Sequence, residues 1–250
     1  MKIIISPAKK MNDNQDIFSF KEMPQFMDKT EKLLSLIKGL SYDEMKKIWN
    51  CSDRLARLNY ERIQNMDLYK NLTPAILSYE GIQYQYMAPS VFTESEYRYI
   101  EKHLRILSGF YGIVKPFDGI KPYRLEMQAR LGSEEADSLY DFWSRDIADS
   151  LYDGNDTLLN LASKEYSKAV EPYLNDSRRF ITCVFGELAG GKVKEKATML
   201  KMARGEMVRY MAEKQIENIE DIREFDRLGF RFNKEMSDED NYIFIKQEDN

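Results

Sequence analysis

The stretch His103–Met127, HLRILSGFYGIVKPFDGIKPYRLEM, decides how the rest of the chain is read, because it packs three glycines, two prolines and five basic side chains into one segment. Gly109, Gly112 and Gly119 tolerate a positive φ or a close neighbour, while Pro116 and Pro122 fix φ and donate no backbone hydrogen bond. That mixture suits neither a long helix nor a sheet interior. It reads as a stiff connection that carries Arg105, Lys115, Lys121 and Arg124. Cations held on a constrained backbone point to an anionic ligand, with a tight loop bearing solvated charges as the alternative.

Working outward, Thr93-Glu-Ser-Glu96 matches a capping box. It opens a helix with Tyr97, Ile100, Leu104 and Leu107 on one face and a stop at Gly109. Near the N-terminus, Lys2–Ile5 is a short apolar run closed by Ser6-Pro7, which predicts a central strand. Thr30–Ile37, Ser41–Trp49 and Ser52–Gln64 have helical periodicity, with Ser41 and Ser52 as N-caps, and Ala75–Tyr79 reads as a strand. Downstream, Leu139, Phe142, Trp143, Ile147 and Leu151 mark one amphipathic helix closed by Gly154. Thr157–Leu161 is then a strand, and Ser163 caps a short helix. Arg179–Glu187 turns at Ala189-Gly190-Gly191 into a return strand, Lys192–Lys196. Thr198–Gln215 is a helix, and Phe230–Phe232 and Tyr242–Lys246 are short strands. Such irregular strand spacing argues against a doubly wound parallel fold. The prediction is an α+β (mixed α/β) fold: a single domain over residues 1–250, with a mixed β-sheet flanked by many helices and a basic cleft.

The 250 residues are 43% hydrophobic, enough for a sizeable core. No run reaches the roughly 18 apolar residues of a membrane helix. MKIIIS reads as a first strand rather than a signal peptide, so a cytoplasmic protein without membrane partners is expected. The net charge of −5 argues against general nucleic-acid binding, yet it conceals a split. Lys192–Lys214 carries seven Lys/Arg against three Glu, and Gln215–Asn250 carries five basic against eleven acidic residues. A basic cleft therefore remains compatible with an acidic total, and two solvated faces are the alternative. Cys51 and Cys183 are far apart and read as buried, inert thiols. His103 is the only histidine and lies at a helix edge, so no structural metal and no cofactor is expected.

On a helical wheel Leu200, Ala203, Met207, Tyr210 and Met211 form the core face of the Thr198 helix. Arg204 falls at its margin and Lys201 just beyond, either snorkelling or walling a cleft. Gly205 beside them suggests close approach by another backbone or a ligand. Ser6-Pro7-Ala8-Lys9-Lys10 follows a strand end, where sheets place ligands: Ser6 offers a hydrogen bond, and Lys9 a point charge or a nucleophile. A solvated turn is the alternative. Ser41–Trp49 and Ser52–Gln64 are joined tightly enough to form a helix-hairpin-helix, with Arg54, Arg57 and Arg62 of the second helix available to phosphates, but without that motif's glycine-rich turn. Asn160–Ser163 with Glu165 and Tyr166 forms a polar turn suited to an anion or to a plain Ser cap.

Taken together, SPAK at 6–9, SDRLARLN at 52–59, the His103–Met127 stretch, LYDFW at 139–143, NLASKEY at 160–166 and ARG at 203–205 closely resemble the YaaA family of bacterial peroxide-stress-resistance proteins. The resemblance spans nearly the whole chain. It implies a cytoplasmic protein of the hydrogen peroxide response that limits free iron and oxidative DNA damage. It also implies a compact mixed fold with a basic cleft, a helix-hairpin-helix element and double-stranded DNA as partner. The DNA- or anion-binding residues it points to are Ser6, Lys9, Arg54, Arg105, Lys121, Arg124, Lys201 and Arg204, and no catalytic residue is assigned. An enzyme acting on a nucleotide, nucleic acid or other phosphorylated small molecule is the alternative. The chain departs from the family pattern at Ala197-Thr-Met-Leu200 and at Lys201-Met202, where a Lys-Lys pair is usual, so one cationic contact is in doubt.

Overall fold

Ile3, Ile4 and Ile5 are all fully buried, so the first strand presents apolar side chains to both faces of a sheet, as a central parallel strand does. The computed structural model describes residues 1–13, 19–132, 136–175 and 177–247. In chain order its elements begin with β1 (Lys2–Ile5), β2 (Lys10–Met11), α1 (Met27–Lys38), α2 (Tyr42–Trp49), α3 (Asp53–Gln64), β3 (Thr73–Pro74), α4 (Ala75–Ser78) and β4 (Tyr79–Glu80). Next come α5 (Ile82–Met87), α6 (Glu94–His103), β5 (Leu104–Ser108), β6 (Gly112–Val114), β7 (Gly119–Ile120), α7 (Leu139–Trp143) and α8 (Asp146–Tyr152). The chain closes with β8 (Thr157–Leu161), α9 (Lys164–Ser167), β9 (Arg179–Ala189), β10 (Lys192–Lys194), α10 (Ala197–Lys214), β11 (Phe230–Phe232) and β12 (Asn241–Lys246).

The main sheet runs β11-β12-β9-β8-β1-β5-β6, with β10 hairpinned onto β9. The two edge pairs, β5–β6 and β11–β12, are antiparallel, so the sheet is mixed as expected. Its centre was not anticipated: β5, β1, β8, β9 and β12 are mutually parallel. Ranked along the chain they lie in the order 2-1-3-4-5, the doubly wound arrangement that reverses direction at its first strand. The long helical insertion from α1 to α6 between β1 and β5 hides that regularity from any reading of strand spacing.

Three local expectations are corrected. Leu104–Ser108 is a strand, not the end of a helix, because Leu104 and Ile106 pair with Ile3 and Ile5 of β1. Apolar residues at a helical spacing lost to tertiary pairing. Ala75–Ser78 is one helical turn rather than a strand. The helix over Leu139–Leu151 is two, broken at Ser144, whose φ is 47°. The capping box at Thr93 and the cap at Ser41 form as expected, Glu44 turning the latter into a capping box as well, whereas Ser52 and Ser163 occupy N-cap positions without a side-chain cap bond. Among the described residues no helix is long and apolar enough to cross a membrane.

Candidate functional site

At the sheet's reversal point, the segments leaving the carboxyl ends of β1 and β8 line a cavity of about 560 Å³. This is the position at which open α/β sheets hold ligands. Ser6, Pro7, Ala8, Lys9 and Lys10 come from the first segment and Ser163, Glu165 and Tyr166 from the second. The two are tied together: the Ser163 amide donates to Ser6 Oγ at 2.8 Å, Ser6 Oγ donates to Ser163 Oγ at 3.2 Å, and the Tyr84 hydroxyl donates to the Ser6 carbonyl at 3.0 Å. Ser6 therefore works first as a strut.

The third wall is the extended run Tyr123–Glu126 from the stretch quoted at the outset. It lies so close to Gly109 that a Cβ there would strike the Leu125 carbonyl oxygen, and the Trp49 indole of α2 donates to the Arg124 carbonyl. Beneath it the Tyr123 hydroxyl meets those of Tyr79 at 2.9 Å and Ser108 at 2.6 Å. The fourth wall is α5 against α10. Gly205 makes that contact possible, since any side chain would collide with the Gln83 carbonyl and the Met87 amide of α5. Another backbone, not a ligand, is what the glycine admits. Its neighbour Arg204 is thereby pressed into the cavity wall.

The charges around the cavity are unequally matched. Lys9 Nζ lies 2.9 Å from Glu126, Arg124 Nη2 lies 3.3 Å from the same carboxylate, and Lys10 pairs with Glu80. Arg204 is only 9% exposed, yet it makes no hydrogen bond or ion pair among the described residues, and its Nε is buried without a partner. Burial holds its guanidinium below the ordinary arginine range, with Glu195 opposing. Arg124 Nε is also buried and unpartnered. Burial pushes the Glu165 carboxyl above its usual range, and Glu126 adds to the effect. The lining holds five cations and three carboxylates, so it is mixed in charge with a basic excess at Arg204 and Lys201.

Five predicted residues thus converge: Ser6, Lys9, Arg124, Lys201 and Arg204. Three do not. Arg54 is exposed on α3. Arg105 lies in a separate cavity of about 110 Å³ and donates to the Glu101 and Leu104 carbonyls at 3.1 and 2.6 Å. Lys121 Nζ donates to the Asn71 carbonyl at 3.1 Å. Glu126, Tyr84 and Gln83 escaped a search for cations, although Glu126 stands two residues from Arg124 in the quoted stretch. Glu165 was visible only as part of the polar turn, whose Ser163 amide is already taken by Ser6.

Beside the cavity lies a groove of about 510 Å³ that shares Lys9 and Glu126 with it and continues past Lys47, Trp49 and Asn50 of the α2–α3 hairpin to Arg130. Cys183 is buried, and burial pushes its thiol well up. Cys51, expected to be buried, is only partly so. His103 is buried between the Met1 carbonyl at 3.0 Å and Glu217 at 3.2 Å, a structural tie.

The sequence profile of the family described as peroxide stress protein YaaA matches residues 1–236. A UPF0246 protein of Desulfitobacterium hafniense is 55% identical over 246 residues, covering 98% of both chains. UPF0246 proteins of Pediococcus pentosaceus and Lachnoclostridium phytofermentans are 52% and 53% identical, covering 99% and 100% of this chain and 99% and 98% of their own. A match of that length and identity makes this chain a member of the YaaA (UPF0246) family of peroxide stress proteins.

Proposed function

We propose that this peroxide stress protein acts by binding a phosphate-bearing ligand of nucleotide size in the reversal-point cavity. The observation that carries the reading is Arg204, a largely buried arginine that makes no hydrogen bond or ion pair among the described residues and whose Nε is buried without a partner, lining a cavity of about 560 Å³. An unpaired buried charge costs several kcal/mol, roughly the penalty for stranding one member of an ion pair, and an anionic ligand would offset it. The cavity lies within the range of about 300–1,000 Å³ usual for small-molecule sites. Lys201 adds an exposed cation on the same helix face, and Arg124 a second unpartnered Nε. Calorimetry and thermal shift with nucleotides and sugar phosphates test the reading: at least one should bind and raise the melting temperature, and Arg204→Met should abolish both effects. Equal binding by the variant would exclude it.

Duplex DNA is the second reading, favoured by the continuity of the cavity with the groove along the α2–α3 hairpin, which adds Lys47 and Arg130 to Lys9. Here phosphate contacts release counterions, so affinity should fall steeply with salt and vary little with sequence. A duplex titration across a salt series, with single strands as control and Lys201→Ala/Arg204→Ala as variant, distinguishes the two. In either reading the effect on free iron is indirect and cytoplasmic, and stoichiometric ferrous binding by the pure protein would count against that.

A further inference from the structure

The cavity has two electrostatic poles. Arg204 feels Glu195 and Cys183 most strongly, whereas Glu165 feels Glu126 and Lys9. One pole is cationic and makes no ion pair among the described residues. The other holds two carboxylates in different settings. Glu126 is ion-paired with Lys9 and Arg124. Glu165 is half-buried at the start of α9, with a long 3.4 Å contact from the Gln128 amide to its Oε1 and a further backbone interaction with Met127. Much of the remaining lining is apolar and aromatic, from Ile82, Tyr84, Tyr123, Leu125 and Tyr166.

We propose that Glu165 and Glu126 are a catalytic acid and base that hydrolyse the N-glycosidic bond of a nucleoside monophosphate whose phosphate rests on Arg204 and Lys201. The inference rests on the phosphate-binding reading of the same cavity. Both carboxylates line the one cavity in different settings, Glu126 ion-paired and Glu165 half-buried without an ion pair among the described residues, and burial holds Glu165 in the protonated form longer than usual. The sign of the charge selects the reaction. Transfer at phosphorus spreads negative charge over the transferring oxygens, which carboxylates would oppose. Cleavage at an anomeric carbon develops positive charge, which carboxylates stabilise. The phosphate is then the handle and the sugar carbon the reacting centre, with the base against the aromatic wall.

In the step itself a water oxygen bonds to the anomeric carbon while the carbon–nitrogen bond breaks. The electron pair of that bond leaves with the base nitrogen, which takes the proton of Glu165. Glu126 accepts the proton released by the water. Proton exchange with solvent restores both groups, and the net change is one water consumed, one free base and one sugar phosphate formed.

The test uses the full chain and the four common ribonucleoside and four deoxyribonucleoside 5′-monophosphates. Binding is followed by calorimetry and free base by chromatography. At least one nucleotide should bind in an Arg204-dependent manner and yield base and sugar phosphate in equal amounts. Glu165→Gln and Glu126→Gln should each slow release by about 10²–10⁴-fold, the usual contribution of a general acid or base, while keeping affinity within a few-fold. Glu165→Asp, which keeps the carboxyl but withdraws it, should be intermediate, and it decides the matter if a Gln variant does not fold. A nucleotide that binds through Arg204 but releases no base overturns the catalytic inference and leaves the binding reading standing. Cleavage undiminished in the Gln variants also overturns it. If no nucleotide binds, both fall.

Discussion

Two cation clusters in this molecule contrast with each other. Around Arg105, Lys21 pairs with Glu101 at 2.7 Å and Lys115 with Glu22 at 2.6 Å, Arg105 donates to two backbone carbonyls, and the enclosed space is about 110 Å³. Around Arg204, the enclosed space is about 560 Å³ and Arg204 makes no ion pair or hydrogen bond among the described residues. Both clusters include residues that sequence reasoning selected for their charge. Matched charges staple loops together, whereas a buried charge left unmatched is a cost that only an external anion relieves. The number of cations does not mark the site; the missing counterion does.

The strongest challenge to the contrast is to replace each arginine by methionine, which keeps the length and removes the charge. Arg204→Met should weaken anion binding by about 100-fold or more, the order of the 2–5 kcal/mol lost when one member of a buried charged pair is truncated. The same change should raise folding stability by about 1 kcal/mol, because it removes an unpaired buried charge. Arg105→Met should do the reverse: affinity stays within error while stability falls by about 1 kcal/mol with the loss of its hydrogen bonds. Calorimetric titration and denaturant midpoints on the pair measure both quantities. Arginines that behave alike would erase the distinction.

Why the sequence separated these clusters so poorly follows from where their partners come from. Ile3–Ile5 announced a central strand because burial on both faces is written into consecutive residues, and the Ser41 and Thr93 caps are equally local. Gly205 was legible as a close approach, and Gln83 and Met87 supply it. Arg105 and Arg204 look alike in sequence, however, since Glu22 and Asp118 reach the first from other segments, whereas the second makes no ion pair among the described residues and feels Glu195 only at longer range. Glu126 and Glu165 were passed over for the same reason. Glu165 gains its setting from the Gln128 segment, and Glu126 part of its own from Lys9 after β1, contacts that no local pattern records.

Asp118, at the centre of the matched cluster, sharpens the comparison through pH. Burial raises its carboxyl to about 7, against the attraction of Lys115 and Arg105. A folded pKa above the unfolded value means that the native state holds the proton more tightly, so stability is lost as pH rises from about 4 towards 7. Asp118→Asn removes that loss and keeps an acceptor for the Lys115 amide, which donates to Asp118 Oδ2 at 2.8 Å. The variant should match the parent at pH 4 and exceed it at pH 8, by on the order of 2 kcal/mol in urea unfolding. Anion binding at pH 8 should not change. A change would mean that the two clusters are coupled.

The smallest effect separates the two cations of α10. Lys201 is exposed one turn from Arg204, so water already solvates its ammonium and a bound phosphate gains little by replacing that water. Lys201→Ala should weaken binding only about three- to tenfold, roughly the worth of one screened charge contact, and the deficit should shrink as salt is added. The Arg204 deficit should persist, because a buried guanidinium is poorly screened. Affinities of both variants at low and high salt decide between them. If the Lys201 deficit is instead large and independent of salt, the ligand closes over α10 and shields that lysine, and the anion lies nearer the cavity mouth than Arg204.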